Sequence, residues 1–173
     1  MFIDCEYPMI ATARLSGMML DYPKLLDKGI GGLRSDLQEK LKEQPDNNFY
    51  KAGIQCLDIF VDCASHLQQD ARDQMASADE KRQKELERIC QALENIKEKK
   101  PGTFHEAMQL FWLFALLAGV INYGRLDDYL GPYLVADLES GRLTDEEAYR
   151  YIHSLWTMIE NRRTTVNGRI IVG

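Results

Sequence analysis

Any chemistry in this chain would have to come from its histidines, its cysteines or its clustered acids, and the spacing of each set limits what it can do. His66, His105 and His153 stand far apart, so no two of them lie four residues apart on one helix face as a zinc-protease pair does. His105-Glu106 opens like that motif, but the residue four after His105 is Gln109, and the second ligand is missing. His105 is therefore expected to play a structural part, bonded to a neighbouring carbonyl. Cys5, Cys56, Cys63 and Cys90 include no C-x-x-C pair, which argues for reduced thiols rather than a metal or redox centre. Cys56 and Cys63 fall on one helix face and read as small buried apolar residues. Asp127-Asp128 and Asp145-Glu146-Glu147 offer carboxylates of the kind used in general acid–base catalysis. At helix starts, however, adjacent acids usually complement the helix dipole, and Asp137 with Glu139 reads as a solvated face. No G-x-S-x-G nucleophile elbow occurs. Read residue by residue, the chain offers no catalytic residue and no metal site.

The elements that would carry these side chains are mostly helices. With 45% hydrophobic and 28% charged residues in 173, the chain has the balance of one ordinary globular domain. A net charge of −6 excludes a sequence-independent nucleic-acid binder and disfavours an anionic membrane, because both need a basic face. The longest apolar stretch, Ala107 to Ile121, has 15 residues, short of the ~20 that span a bilayer. No signal peptide precedes the first helix pattern, and a cytoplasmic location is expected.

Residues 1–22 show no clear period and read as an irregular arm. From Pro23 to residue 166 the pattern is helical. Pro23 suits a first turn, and leucines at 25, 26, 33, 37 and 41 follow at helical spacing. Gly29-Ile30-Gly31-Gly32 interrupts them; without a preceding strand or a G-K-[ST] ending, this cluster predicts a kink rather than a phosphate loop. Asn47 to Met75 predicts an amphipathic helix with Ile54, Leu57, Val61, Ala64 and Leu67 inward. Ser77–Glu80, Thr103–Glu106 and Thr144–Glu147 each have capping-box spacing. The segment from Phe104 to Gly119 is apolar almost all round and predicts the central helix, ended by Asn122-Tyr123-Gly124. The final helix is expected to turn Ala148, Ile152, Leu155, Trp156 and Ile159 inward. Residues 167–173 predict a lone strand with nothing in the chain to pair with, so a further part of the protein is expected beyond it.

Asp21-Tyr22-Pro23-Lys24-Leu25-Leu26, the string from Thr103 to Trp112, Gly124-Arg125-Leu126-Asp127-Asp128-Tyr129-Leu130, and the stretch from Asp137 to Glu147 resemble segments of the glycyl-radical enzyme family that includes pyruvate formate-lyase. They occur in family order. The resemblance implies a mainly α fold, a helical bundle corresponding to the N-terminal part of such an enzyme and ending at the first strand of a missing α/β barrel. It implies a parent C–C or C–X bond lyase whose glycyl radical is installed by an activating enzyme using S-adenosylmethionine and an iron–sulfur cluster. This chain lacks the family's Gly-Cys-x-Glu-like thiyl loop and Arg-Val-x-Gly-Tyr-like glycyl motif. It is thus expected to bind no cofactor itself and to be inert alone.

The resemblance places Asn122, Tyr123 and Arg125 nearest the parent's substrate pocket. An Asn-Gly-His-Ser-like insertion found before Gly-Arg in many dehydratases is absent here, which argues against glycerol-type diol chemistry. A structural Arg125–Asp127 ion pair at a helix start is the simpler reading of that arginine. The implied partners are the barrel, the activating enzyme and a second copy in a homo-oligomer. The rival reading is a free-standing helical interaction or regulatory module.

Overall fold

The structure is a computed structural model that describes residues 19–162 and 169–173. Among them the order is α1 (Tyr22–Glu43), α2 (Asn48–Met75), α3 (Glu80–Ile96), α4 (Phe104–Leu117), β1 (Asn122–Arg125), α5 (Leu126–Glu139), α6 (Asp145–Asn161) and β2 (Arg169–Ile171). The fold is mainly α, as the periodicity and the resemblance both imply.

Local chemistry starts each helix. The Asp21 carboxylate accepts from the Lys24 amide at 3.1 Å while Pro23 occupies the first turn of α1. Asn47 caps α2 through the Phe49 amide at 3.0 Å. Asp79, not Ser77, caps α3, accepting from the Arg82 amide at 2.8 Å. The expected Ser77–Glu80 box does not form, because the carboxylate two residues on reaches the orphan amides while Ser77 bonds back to the Gln74 carbonyl. At α4 half of the expected box forms: Thr103 Oγ1 accepts from the Glu106 amide at 3.2 Å, but the Glu106 carboxylate takes the Gly102 amide and the Asn95 side chain. At α6 the Thr144–Glu147 box is complete. Thr144→Ala is therefore expected to cost about 1 kcal/mol and Thr144→Ser little. The comparison of urea midpoints checks it, and equal midpoints for the two variants would show that the cap contributes nothing.

Helix α4 is the centre, packed by α1, α2, α3 and α5. Leu110, Phe111, Ala107 and Ala115 are fully buried, and Phe111 meets Tyr22 edge-on at 4.9 Å between ring centroids. Tyr22 in turn stacks on Tyr129 of α5 at 5.1 Å. Burying rings of this size in contact adds offset and edge-to-face attraction to the hydrophobic gain. Only the last turn of α4, with Leu116 and Leu117, is exposed.

The glycine cluster produces the expected break. Gly29 sits inside α1 at φ 64°, ψ 179°, a conformation that divides the helix into two pieces. The chain leaving α3 packs directly against this break, and the Gly31 amide donates to the Glu98 carbonyl at 3.0 Å.

Several expectations drawn from side-chain type alone fail. Cys56 is exposed and Cys63 half-buried; Cys5 lies outside the described residues. Leu67 and Trp156 are 42% and 44% exposed, because α2 and α6 are each covered on a narrower arc than their apolar residues span. Asp137 is buried at 4% exposure instead of solvated, since its carboxylate accepts from the Phe104 amide and from Arg142. The final strand is not alone: β2 pairs in parallel with β1, with Asn122 opposite Arg169, Gly124 opposite Ile170 and Arg125 opposite Ile171. Asn122 also bridges Met19. Asn122-Tyr123-Gly124 thus forms a strand rather than only ending a helix.

Candidate functional site

Strand β1 carries Asn122, Tyr123 and Arg125, so one four-residue element brings all three sequence candidates together. Their surroundings differ, and strict alternation does not account for it: the burial pattern is not alternating and the ladder is irregular between Asn122 and Gly124. Tyr123 is fully buried among Phe111 and Trp112, with ring centroids at 5.7 and 6.2 Å. Its hydroxyl accepts from Arg162 Nη1 at 2.8 Å, and its carbonyl accepts from the Tyr129 hydroxyl at 2.7 Å. Asn122 is half-buried, and its Oδ1 accepts from the Gly124 amide at 3.3 Å.

Arg125 is exposed. Its Nε and Nη2 grip the two carboxylate oxygens of Asp127 at 2.9 and 2.8 Å. The same pair clamps the backbone just past β2: Arg125 donates to the Gly173 carbonyl, and the Gly173 amide donates to Asp127 at 3.2 Å. The ion pair anticipated at this helix start is present, and it fixes where the second strand runs.

The Arg125 hydrogen bond, followed by the Gly173 amide, holds the Asp127 carboxyl well below the usual carboxylate range. A depressed folded pKa contributes stability that is present above the unfolded value of about 3.9 and lost as pH falls through the folded value. In Arg125→Gln the Asp127 midpoint is expected to climb toward ~3.9 in a carbon-detected NMR titration. An unmoved midpoint would assign the depression to the backbone amide.

Sequence reasoning missed the residue that secures this region. Arg162, at the end of α6, donates to the Val120 carbonyl at 2.7 Å as well as to Tyr123, and lies 5.9 Å over the Trp112 ring. Nothing in its surroundings along the chain distinguishes it from a surface arginine. Tyr22 contributes a fully buried hydroxyl with no hydrogen-bond partner among the described residues, and burial raises its pKa above the ordinary tyrosine value, as it does for Tyr129. These phenols stay neutral and act as dipoles, not as bases.

The other chemical candidates serve the scaffold. His105 stacks parallel to Tyr151, centroids 4.9 Å apart, and meets Gln109 at 3.3 Å rather than a carbonyl. Burial lowers its pKa, so the ring is neutral at pH 7. Glu147 completes its cap and reaches Arg88 at 3.3 Å. Cys56 and Cys63 sit on α2, and Cys90 sits on α3 with its thiol 3.6 Å from the Gln68 carbonyl. Among the described residues no cluster of three metal-ligating side chains occurs, and no helix is long and apolar enough to cross a membrane.

Residues 5–170 match the family model described as pyruvate formate lyase-like. The isethionate sulfite-lyase of Bilophila wadsworthia is 30% identical over 79% of this chain and 18% of its own length. The probable dehydratase YbiW of Escherichia coli is 28% identical over 90% of this chain and 22% of its own. Among solved structures, a glycyl radical enzyme from Archaeoglobus fulgidus superposes with a TM-score of 0.76 at 24% identity, covering 90% of this chain and 21% of that one. The chain therefore spans roughly one fifth of the length of these relatives.

Proposed function

The chain belongs to the pyruvate formate lyase-like family of glycyl radical enzymes, and from that premise we propose that it is the helical N-terminal scaffold of a larger lyase or dehydratase, inert by itself. The observation that carries this reading is the coverage: the similarity runs through 90% of this chain but only 22% of a matching relative. Strand β2 adds to it, since it pairs with β1 while Ile171 and Val172 beside it are 55% and 69% exposed. A parallel pair this small is not stable unsupported, and its continuation into the parent's α/β barrel would complete it.

In this reading the work of these 173 residues is positional. The three described cysteines, Cys56, Cys63 and Cys90, lie on helices, and none of them sits in a loop like that of the family's thiyl cysteine. The parent's glycyl radical, installed by an activating enzyme with S-adenosylmethionine and an iron–sulfur cluster, belongs to the remainder of the polypeptide. Asn122 and Arg125 stand at the edge of the parent's pocket, and Tyr123 supports them from behind through Arg162. The parent acts in the cytoplasm on a small substrate, alone or as a homo-oligomer.

The rival, a self-sufficient helical binding module, draws support from the closed core around Tyr22, Phe60 and Phe111. The intact mass of the protein from its anaerobically grown native source separates the two. A mass several times 19.9 kDa is expected; a mass near 19.9 kDa would sink the enzyme reading.

A further inference from the structure

A groove of about 370 Å³ is lined by residues of α3, α6 and the first half of α4. It belongs neither to β1 nor to the proposed pocket edge. Guanidinium groups reach it from two helices, Arg82 and Arg88 from α3 and Arg150 from α6. In a chain of net charge −6 this concentration runs against the background. Two of the three are committed: Arg82 pairs with Glu85 at 2.9 Å, and Arg88 pairs with Glu147 at 3.3 Å. Arg150 has no ion-pair partner among the described residues, so the groove's one excess positive charge resides there.

The floor adds a donor and an apolar wall. The Gln109 side-chain amide meets His105 Nε2 at 3.3 Å, a contact whose direction follows the imidazole tautomer and in which one of the two supplies the N–H. Parallel stacking on Tyr151 fixes the His105 ring. Ile89 and Met158 line the same space. A concave space of this volume, with apolar walls and a few convergent donors, has the anatomy of a small-molecule site, and an unpaired guanidinium selects for a planar oxyanion it can meet with two N–H bonds.

We propose that the groove between α3 and α6 binds a small organic oxyanion, a carboxylate or a phosphate monoester, with Arg150 as its charge partner and the His105–Tyr151 stack as its floor. The carboxylates of Glu85 and Glu147 hold the neighbouring arginines in place and limit the charge the site accepts.

The 173-residue chain, isotope-labelled, is titrated at constant ionic strength with acetate in one series and inorganic phosphate in another, and amide shifts are followed by NMR. Saturable shifts confined to the surroundings of His105, Arg150 and Tyr151 are expected, and the tighter series identifies the source chemistry. Arg150→Ala should weaken binding roughly fivefold, Arg72→Ala on α2 should leave it unchanged, and Glu85→Gln should tighten it. Shifts that grow linearly or spread over the surface overturn the site, as does equal loss in the Arg150 and Arg72 variants. Because the readout is local, it succeeds or fails whatever the mass of the native protein.

Discussion

Gly29→Ala is expected to cost about 4 kcal/mol and to lower Tm by roughly 10 °C. Two independent effects combine. At φ 64°, ψ 179° the backbone occupies a region essentially reserved for glycine, which strains any side chain by ~1–3 kcal/mol. A Cβ built there would also stand 2.6 Å from the Lys100 amide nitrogen and 2.7 Å from the Lys99 carbonyl oxygen. Both are backbone atoms, so relief requires the α3–α4 connection to lift off α1, and overpacking of this kind adds ~1–3 kcal/mol. Gly31→Ala meets the Glu98 carbonyl oxygen at 2.2 Å and should show the second effect without the first. Gly102→Ala, whose nearest neighbour would be the flexible Glu106 carboxylate at 3.6 Å, should stay within about 0.5 kcal/mol of the parent. Urea unfolding of the three variants gives the order directly. A Gly29→Ala protein as stable as the Gly102→Ala protein would show that the close backbone approach is not real.

Asp137→Ala is expected to cost about 3 kcal/mol, more than removal of its ion-pair partner. Phe104 is the first residue of α4, and its amide is one of the donors a helix cannot satisfy internally. Asp137, at the far end of α5, supplies the acceptor at 2.8 Å and places a negative charge at the positive pole of the central helix. Its other oxygen accepts from Arg142 Nε at 2.9 Å. The aspartate side chain is 6% exposed and the arginine 52%, so solvent screens the ion pair while the amide bond stays dry. Arg142→Ala should therefore cost only about 1 kcal/mol. Denaturation midpoints for the two variants decide the matter. Equal losses would place the energy in the ion pair, contrary to the burial of the Phe104 amide.

The same two sites show where sequence reasoning reached and where it stopped. The glycine cluster could be read as a kink because the helical spacing of the leucines runs into it from both sides. That α3 and α4 would be joined by a backbone segment pressed onto that kink could not be read, since Lys99 and Lys100 carry no mark of what their backbone touches. Asp137 reads as part of a solvated face together with the charged Glu139. Its actual partner is an amide 33 residues earlier, which no local pattern reveals.

Most helices, and the starts at Pro23, Asn47 and Thr144, were legible in the sequence alone, because a helix closes its hydrogen bonds within four residues and its caps within three. The family was legible for a related reason: the strings that carry the resemblance are continuous in the chain. Tertiary structure alone decided the rest. Strand β1 exists only because β2 arrives beside it, and a parallel ladder has no meaning until its partner is in place. Tyr123 lies fully buried with its hydroxyl bonded to Arg162 at the end of α6, a partner 39 residues away that no local pattern reveals. The exposure of Cys56 and Trp156 followed from how much of each helix its neighbours cover, a quantity set by packing geometry and not by the period of the residues.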